Sequence, residues 1–227
     1  MKSWATFLMA GAALLAFAVP GVGSCLELDR ARVAAGEWWR LATGNLAHGS
    51  ASHLAWDLLA FVALGVACER LDRARTLAVL AAAPIAIGAA VLAFEPAVAI
   101  YRGLSGLDSA LFVFLAATLG RRALAEGRTA LALGAGAAGA LFVAKSVFEL
   151  STGRALFVAG PEATVAVAHL AGAAVGSLLG YRPKISQPKT GAVAGEGELE
   201  PETRSAASAS EPKLSPSWPR AGVSPPA

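Results

Sequence analysis

Long apolar runs, separated by short charged clusters, organise the first 180 or so residues of this sequence. Ser3–Leu26 and Thr76–Phe94 carry no charged side chain, and Ala163–Tyr181 contains only His169. A helix that crosses a bilayer needs about 17–25 predominantly apolar residues. These runs therefore predict spans at about 4–23, 76–94 and 163–181. Three more runs of similar length hold a few polar groups: 51–68 with His53 and Asp57, 103–119 with Asp108, and 129–150 with Lys145 and Glu149. The pattern predicts an all-α integral membrane protein, a bundle of six transmembrane helices occupying residues 1–182. No internal repeat is visible.

Composition agrees with the pattern. Apolar residues make up 56% of the chain and charged residues 15%, against about 45–50% and about 25% in soluble domains. The net charge of +3 would suit a nucleic-acid partner only if it were gathered on one face, and it is not. Lys2, Arg70, Arg73, Arg75, Arg121, Arg122, Arg128, Arg182, Lys184 and Lys189 fall on one side of the predicted topology, and Arg30, Arg32, Arg40, Arg102 and Arg154 on the other. Basic residues collect in cytoplasmic loops, so both termini are expected in the cytoplasm of a bacterial-type inner membrane. The lipid bilayer is the implied partner, and nucleic acid is not.

From Pro183 the character changes. Eight of the twelve prolines lie in 183–227 among Ser, Gly, Glu and Ala, with Trp218 the sole aromatic residue. Such a segment cannot bury enough apolar surface to offset its ordering entropy, so 183–227 is expected to be a disordered cytoplasmic tail. At the other end, Val22-Gly23-Ser24-Cys25 after an apolar run loosely resembles a lipoprotein signal. Pro20 and two glycines also suit a helix ending at the membrane surface. Cys25 and Cys68 are placed at opposite membrane faces, and no disulfide is expected between them.

Polar groups inside a membrane are costly and mark functional positions. The three histidines, His48, His53 and His169, all lie in or beside predicted spans. Ser105, in Tyr101-Arg102-Gly103-Leu104-Ser105-Gly106, opens the fourth span. A helix N-terminus offers unpaired N–H groups and a positive dipole end, suited to holding an oxyanion. Taken alone, this is equally the pattern of an N-cap serine between turn glycines. A serine nucleophile needs a base. Ala168-His169-Leu170-Ala171-Gly172 supplies a histidine just ahead of Gly172, Gly176 and Gly180. That four-residue glycine spacing makes one smooth helix face for close packing, with His169 on nearly the same face. His48 and His53, five residues apart, sit poorly on one helical face for a shared metal. No metal cluster, phosphate loop or dinucleotide fingerprint is present, and no cofactor is implied.

Taken in order, these motifs resemble the rhomboid intramembrane proteases. Glu37-Trp38-Trp39-Arg40 is similar to the family's Glu-x-Trp-Arg in the first outer loop, where the paired tryptophans also suit the membrane interface. His48, His53 and Asp57 match the polar positions of the second span, Gly103-Leu104-Ser105-Gly106 the nucleophile motif, and Ala168–Gly172 the histidine motif. The resemblance implies a Ser105–His169 dyad cleaving a membrane-protein substrate helix. It also implies substrate and oxyanion contacts from His48, His53, Asp57, Gly103, Leu104 and Gly106. Asp57 stands where the family usually has asparagine; it could donate to an oxyanion only when protonated, and otherwise pairs with a histidine and has no oxyanion role. Ser109 stands where a larger ring packs on the imidazole.

Lys145-Ser146-Val147-Phe148-Glu149 ahead of His169 looks most like the rhombosortase subgroup, which implies cleavage of C-terminal sorting helices on exported proteins near a small-residue motif such as Gly-Gly. Lys145 has two acids to pair with, Asp108 and Glu149. The alternatives are a catalytically inactive rhomboid-like protein that binds membrane clients, and a small transporter using Asp57, Asp108, Lys145 and Glu149. The latter lacks the inverted repeats expected of it.

Overall fold

The computed structural model describes residues 3–153 and 165–181. The expected tail, Lys2, Arg154 and the first residues of the span begun at 163 lie outside the described residues. In chain order come α1 (Trp4–Ala18), α2 (Val22–Leu26), β1 (Leu28–Asp29), α3 (Arg30–Ala34), α4 (Arg40–Thr43) and a 3-10 turn, Gly44–Leu46. After the turn come α5 (Ala51–Phe94), β2 (Ile100–Tyr101), α6 (Ser105–Ala125), α7 (Thr129–Thr152) and α8 (Ala166–Tyr181).

At 44 residues, α5 would be about 66 Å long if straight, twice the thickness of a bilayer's hydrocarbon core. It is broken at Asp72, whose φ of −154° and ψ of 86° leave the helical region. Asp72 caps the second rod: its Oδ1 accepts from the Arg75 N–H at 3.3 Å, and its carbonyl accepts from Thr76 Oγ1 at 2.8 Å. The charged loop expected over 69–75 is thus reduced to a single non-helical residue between two helical rods. The cause is local, since an aspartate can end one helix and begin the next within one turn.

Among the described residues, Ala51–Phe94 and Thr129–Thr152 are long and apolar enough to cross a membrane, while Trp4–Ala18 and Ala166–Tyr181 are apolar but shorter. Leu8, Leu59, Leu133 and Leu141 project outward exposed, as lipid-facing side chains do.

Helix α6 runs through the centre. Its N-cap Leu104 and its Leu107, Leu111 and Phe114 are fully buried, together with Phe61, Val79 and Ile87 of α5. The closest packing is with α8, where Gly172, Gly176 and Gly180 face α6 as their spacing predicts. A Cβ on Gly172 would strike the Gly106 carbonyl, and one on Gly176 the Ala110 carbonyl. One on Gly180 would come within 2.7 Å of Ala117 Cβ. Helix α7 packs on α6, with the Phe112 and Phe142 ring centroids 5.4 Å apart, and an open cavity of about 1150 Å³ lies along α6, α7 and α8, lined in part by small residues such as Ala116, Gly120, Ala135 and Gly139.

The outer segment between α1 and α5, whose paired tryptophans suit the membrane interface, is also folded on itself. Trp38 and Trp39 are exposed, but Arg40 is buried. Its guanidinium donates to Glu37 Oε2 at 2.6 Å and to the carbonyls of Ser24 and Glu27 at 3.0 and 2.7 Å. Arg30 caps the end of α5, donating to the carbonyls of Leu92 and Glu95 at 2.9 and 2.8 Å. On the opposite side, Thr6 of α1 donates through both its N–H and its hydroxyl to Glu69 Oε1.

Gly176→Leu should lower stability by about 3 kcal/mol or more through overpacking, whereas Gly134→Leu, with open space around it, should change little. Unfolding midpoints in mixed micelles would show the difference. Arg40→Ala leaves buried carbonyls without a donor and should cost about 2–3 kcal/mol in the same assay.

Candidate active site

The site is built where the outer segment meets the start of α6. Leu28 and Asp29 of β1 pair antiparallel with Tyr101 and Ile100 of β2, which fixes the strand leading into Arg102-Gly103-Leu104-Ser105. Arg102 Nε donates to Glu27 Oε2 at 2.7 Å, and the Tyr101 hydroxyl donates to the Gly103 carbonyl at 3.3 Å. Burial, reinforced by the nearby carboxylates Asp57 and Asp108, pushes the Tyr101 phenol above its ordinary range, so it stays protonated as this bond requires.

Gly103 has a φ of +119°, in the left-handed region that glycine tolerates best. A Cβ there would also sit 2.9 Å from His53 Cε1 and 3.3 Å from Asp57 Oδ2. Position 103 therefore excludes a side chain on two counts. Leu104 is the N-cap of α6 and Ser105 its first helical residue. Ser105 is thus one position inside the helix rather than capping it, and the first-turn N–H groups have no carbonyl within the helix to receive them.

Helix α8 brings His169 to this point, and His169 Nε2 lies 3.1 Å from Ser105 Oγ. The two residues are 64 positions apart in sequence, and the glycine contacts of α8 on α6 set their separation. Nε2 can accept the Ser105 proton only in the tautomer that carries hydrogen on Nδ1. His169 Nδ1 is buried with no hydrogen-bond partner among the described residues. Glu149 Oε2, 4.0 Å from Nδ1, is bridged to Lys145 Nζ at 2.8 Å. Of the two acids within reach in the sequence, Lys145 therefore pairs with the one a helical turn away.

Asp57 is placed differently from expectation. Its Oδ2 accepts from the Leu104 N–H at 2.8 Å and lies 3.2 Å from His48 Nε2 and 3.3 Å from His53 Nε2. Three partners already occupy this oxygen, and the Leu104 N–H is spent on it. Asp57 and Leu104, both expected among the oxyanion and substrate contacts, bind each other here, and Asp57 also meets the two histidines. His48 precedes α5 rather than lying on it, so the helical-spacing argument about His48 and His53 does not apply. The two rings meet edge to face with centroids 5.3 Å apart. His48 Nδ1 donates to the Leu46 carbonyl at 3.2 Å, which turns Nε2 toward Asp57 Oδ2.

Gly106 belongs to the site through its backbone. Its added Cβ would meet Ile87 Cδ1 at 2.9 Å and the Ala168 carbonyl at 3.3 Å, so its bareness admits α8. Ser109 turns its hydroxyl back to the Ser105 carbonyl at 2.7 Å. Sequence reasoning missed Glu27, Arg30 and Tyr101, which shape the loop before Ser105; Glu27 and Arg30 act on partners 75 and 65 positions away, so nothing local marks them. Glu149 did carry a signal, as an acid paired with a lysine inside an apolar run.

This constellation is a hydroxyl at a helix N-terminus, an imidazole within hydrogen-bond reach and a buried acidic clamp on the preceding loop. It is suited to nucleophilic attack on a carbonyl. No curated protein matches the chain significantly. The Rhomboid domain family matches residues 35–183, well over half of the chain and inclusive of both Ser105 and His169. The chain therefore belongs to the rhomboid family, multi-pass membrane proteins that are in general intramembrane serine peptidases.

Proposed function

We propose that this protein is an intramembrane serine endopeptidase working through a Ser105–His169 dyad within six membrane spans, with both termini in the cytoplasm of a bacterial-type inner membrane. The observation that carries this reading is the 3.1 Å approach of His169 Nε2 to Ser105 Oγ at the start of α6.

In this reading Nε2 accepts the hydroxyl proton as Oγ attacks the scissile carbonyl carbon. The tetrahedral oxyanion then collapses to an acyl-enzyme as His169 returns the proton to the leaving amine. Water activated by His169 releases the new carboxylate and regenerates Ser105. The oxyanion is received by the free first-turn N–H of Ser105, at the positive end of α6, with His53 beside it. Asp57 serves as a clamp: by holding the Leu104 N–H and two imidazoles it keeps the Gly103–Ser105 backbone in place. Substrates are transmembrane or C-terminal sorting helices of exported proteins, cut near a small-residue motif such as Gly-Gly. This assignment rests on the resemblance of Lys145–Glu149 ahead of His169 to the rhombosortases.

A fluorophosphonate probe on the detergent-solubilised protein tests the dyad directly. Wild type should label, and Ser105→Ala and His169→Ala should not. Wild type failing to label alongside an active rhomboid would sink the catalytic reading in favour of a silent, client-binding rhomboid. The clamp makes a separate prediction. Asp57→Asn keeps an acceptor for the Leu104 N–H and should retain most activity, whereas Asp57→Leu frees the loop and should lower kcat roughly 100-fold. Equal rates in the two variants would remove Asp57 from the mechanism.

A further inference from the structure

We infer that Glu149, braced by Lys145, is the positioning residue for His169, so that the working unit is Ser105–His169–Glu149 rather than a bare pair. This rests on the proposed peptidase activity. A base that accepts at Nε2 must carry its proton on Nδ1, and a buried N–H without an acceptor is unfavourable. Nδ1 of His169 is buried and lacks a hydrogen-bond partner among the described residues. The one carboxylate near it among the described residues is that of Glu149, whose side chain is only 2% exposed and whose Oε2 stands 4.0 Å away. Ser109, the polar residue one turn beyond Ser105, turns its hydroxyl to the Ser105 carbonyl and makes no hydrogen bond with His169 Nδ1.

The carboxylate is itself held in place. Lys145, one helical turn earlier on α7, contacts the same Oε2 at 2.8 Å. Closing the remaining gap to a hydrogen bond requires α7 to approach α8 by about 1 Å. Catalytic hydrogen bonds commonly tighten in this way only when substrate is bound. Packing does not oppose the movement: Val147 and Phe148 of α7 and Leu170 of α8, the neighbours of this pair, border the cavity between the helices. As imidazolium forms during attack, Glu149 stabilises it and keeps the ring oriented, while Lys145 keeps the acid from turning away.

The experiment uses the full chain in detergent with a reporter bearing a C-terminal Gly-Gly helix. It compares wild type, Glu149→Gln, Glu149→Asp and the double variant Lys145→Met with Glu149→Leu. Glu149→Gln should lower kcat roughly 100-fold, less than the ~10⁴ lost where a serine protease's carboxylate is tightly bonded, with KM within about two-fold of wild type. Glu149→Asp should recover part of the loss, and the double variant should stay slow although no buried charge is left unpaired. Fluorophosphonate labelling of Ser105 should slow in parallel. If the double variant regains the wild-type rate, the acid merely balances Lys145 and the inference is overturned. The same holds if Glu149→Gln cleaves normally or changes only KM. Active wild type with normal Glu149 variants defeats this inference alone, whereas inactive wild type defeats the peptidase reading with it.

Discussion

The backbone-to-backbone approach of α8 on α6 is the constraint on which this protein turns. Gly172 lies against the Gly106 carbonyl and Gly176 against that of Ala110, so closely that no side chain fits between. In lipid there is no hydrophobic gain from pressing two apolar helices together, and close contact of small residues supplies the association instead. The same contact sets chemistry. Gly172 is one turn beyond His169, and Gly106 is the neighbour of Ser105. Every ångström by which the helices separate would be added near the 3.1 Å Ser105–His169 distance. Packing and reactivity are therefore one property here.

A second layer of polar contacts holds the serine from the other side. The loop before α6 is gripped by the β1–β2 pair, by Arg102 on Glu27 and by Asp57 on the Leu104 N–H. Arg40 and Arg30 in turn bind carbonyls of the outer segment and of the end of α5. These are charged groups in a largely apolar protein, and each is matched to acceptors that would otherwise be unsatisfied. Rigidity is concentrated where the nucleophile sits. Helix α7, by contrast, borders an open cavity of about 1150 Å³, so the half of the bundle around Ser105 is tied more closely than the half around α7.

Much of this architecture is legible in the chain itself. The glycine repeat of α8 and the exceptional setting of Ser105 and His169 are local patterns, and the structure unites them. The departures from expectation are equally instructive. The charged stretch 69–75 reads as a loop by composition, yet Asp72 alone makes the break because its side chain caps the next helix. Asp57 reads as an oxyanion donor by its place in the motif. Its oxygen is instead filled by Leu104, His48 and His53, contacts made across 47, 9 and 4 residues. His48 reaches Asp57 because it has left the helix.

The sequence by itself determined the helical, membrane-embedded class, the order of the motifs and the settings of Ser105 and His169. These depend on apolar run length and on residue spacing within one helix, and both are written locally. Only the tertiary structure decided which polar groups meet. It placed Asp57 against the Leu104 N–H, set Glu149 behind His169, and gave Arg30 and Glu27 their partners at the end of α5 and in the loop before Ser105. Those pairings join residues on different elements, and helix rotation and crossing distance choose them. A difference of one position along a helix turns a side chain by about 100°, so no local pattern could have specified them.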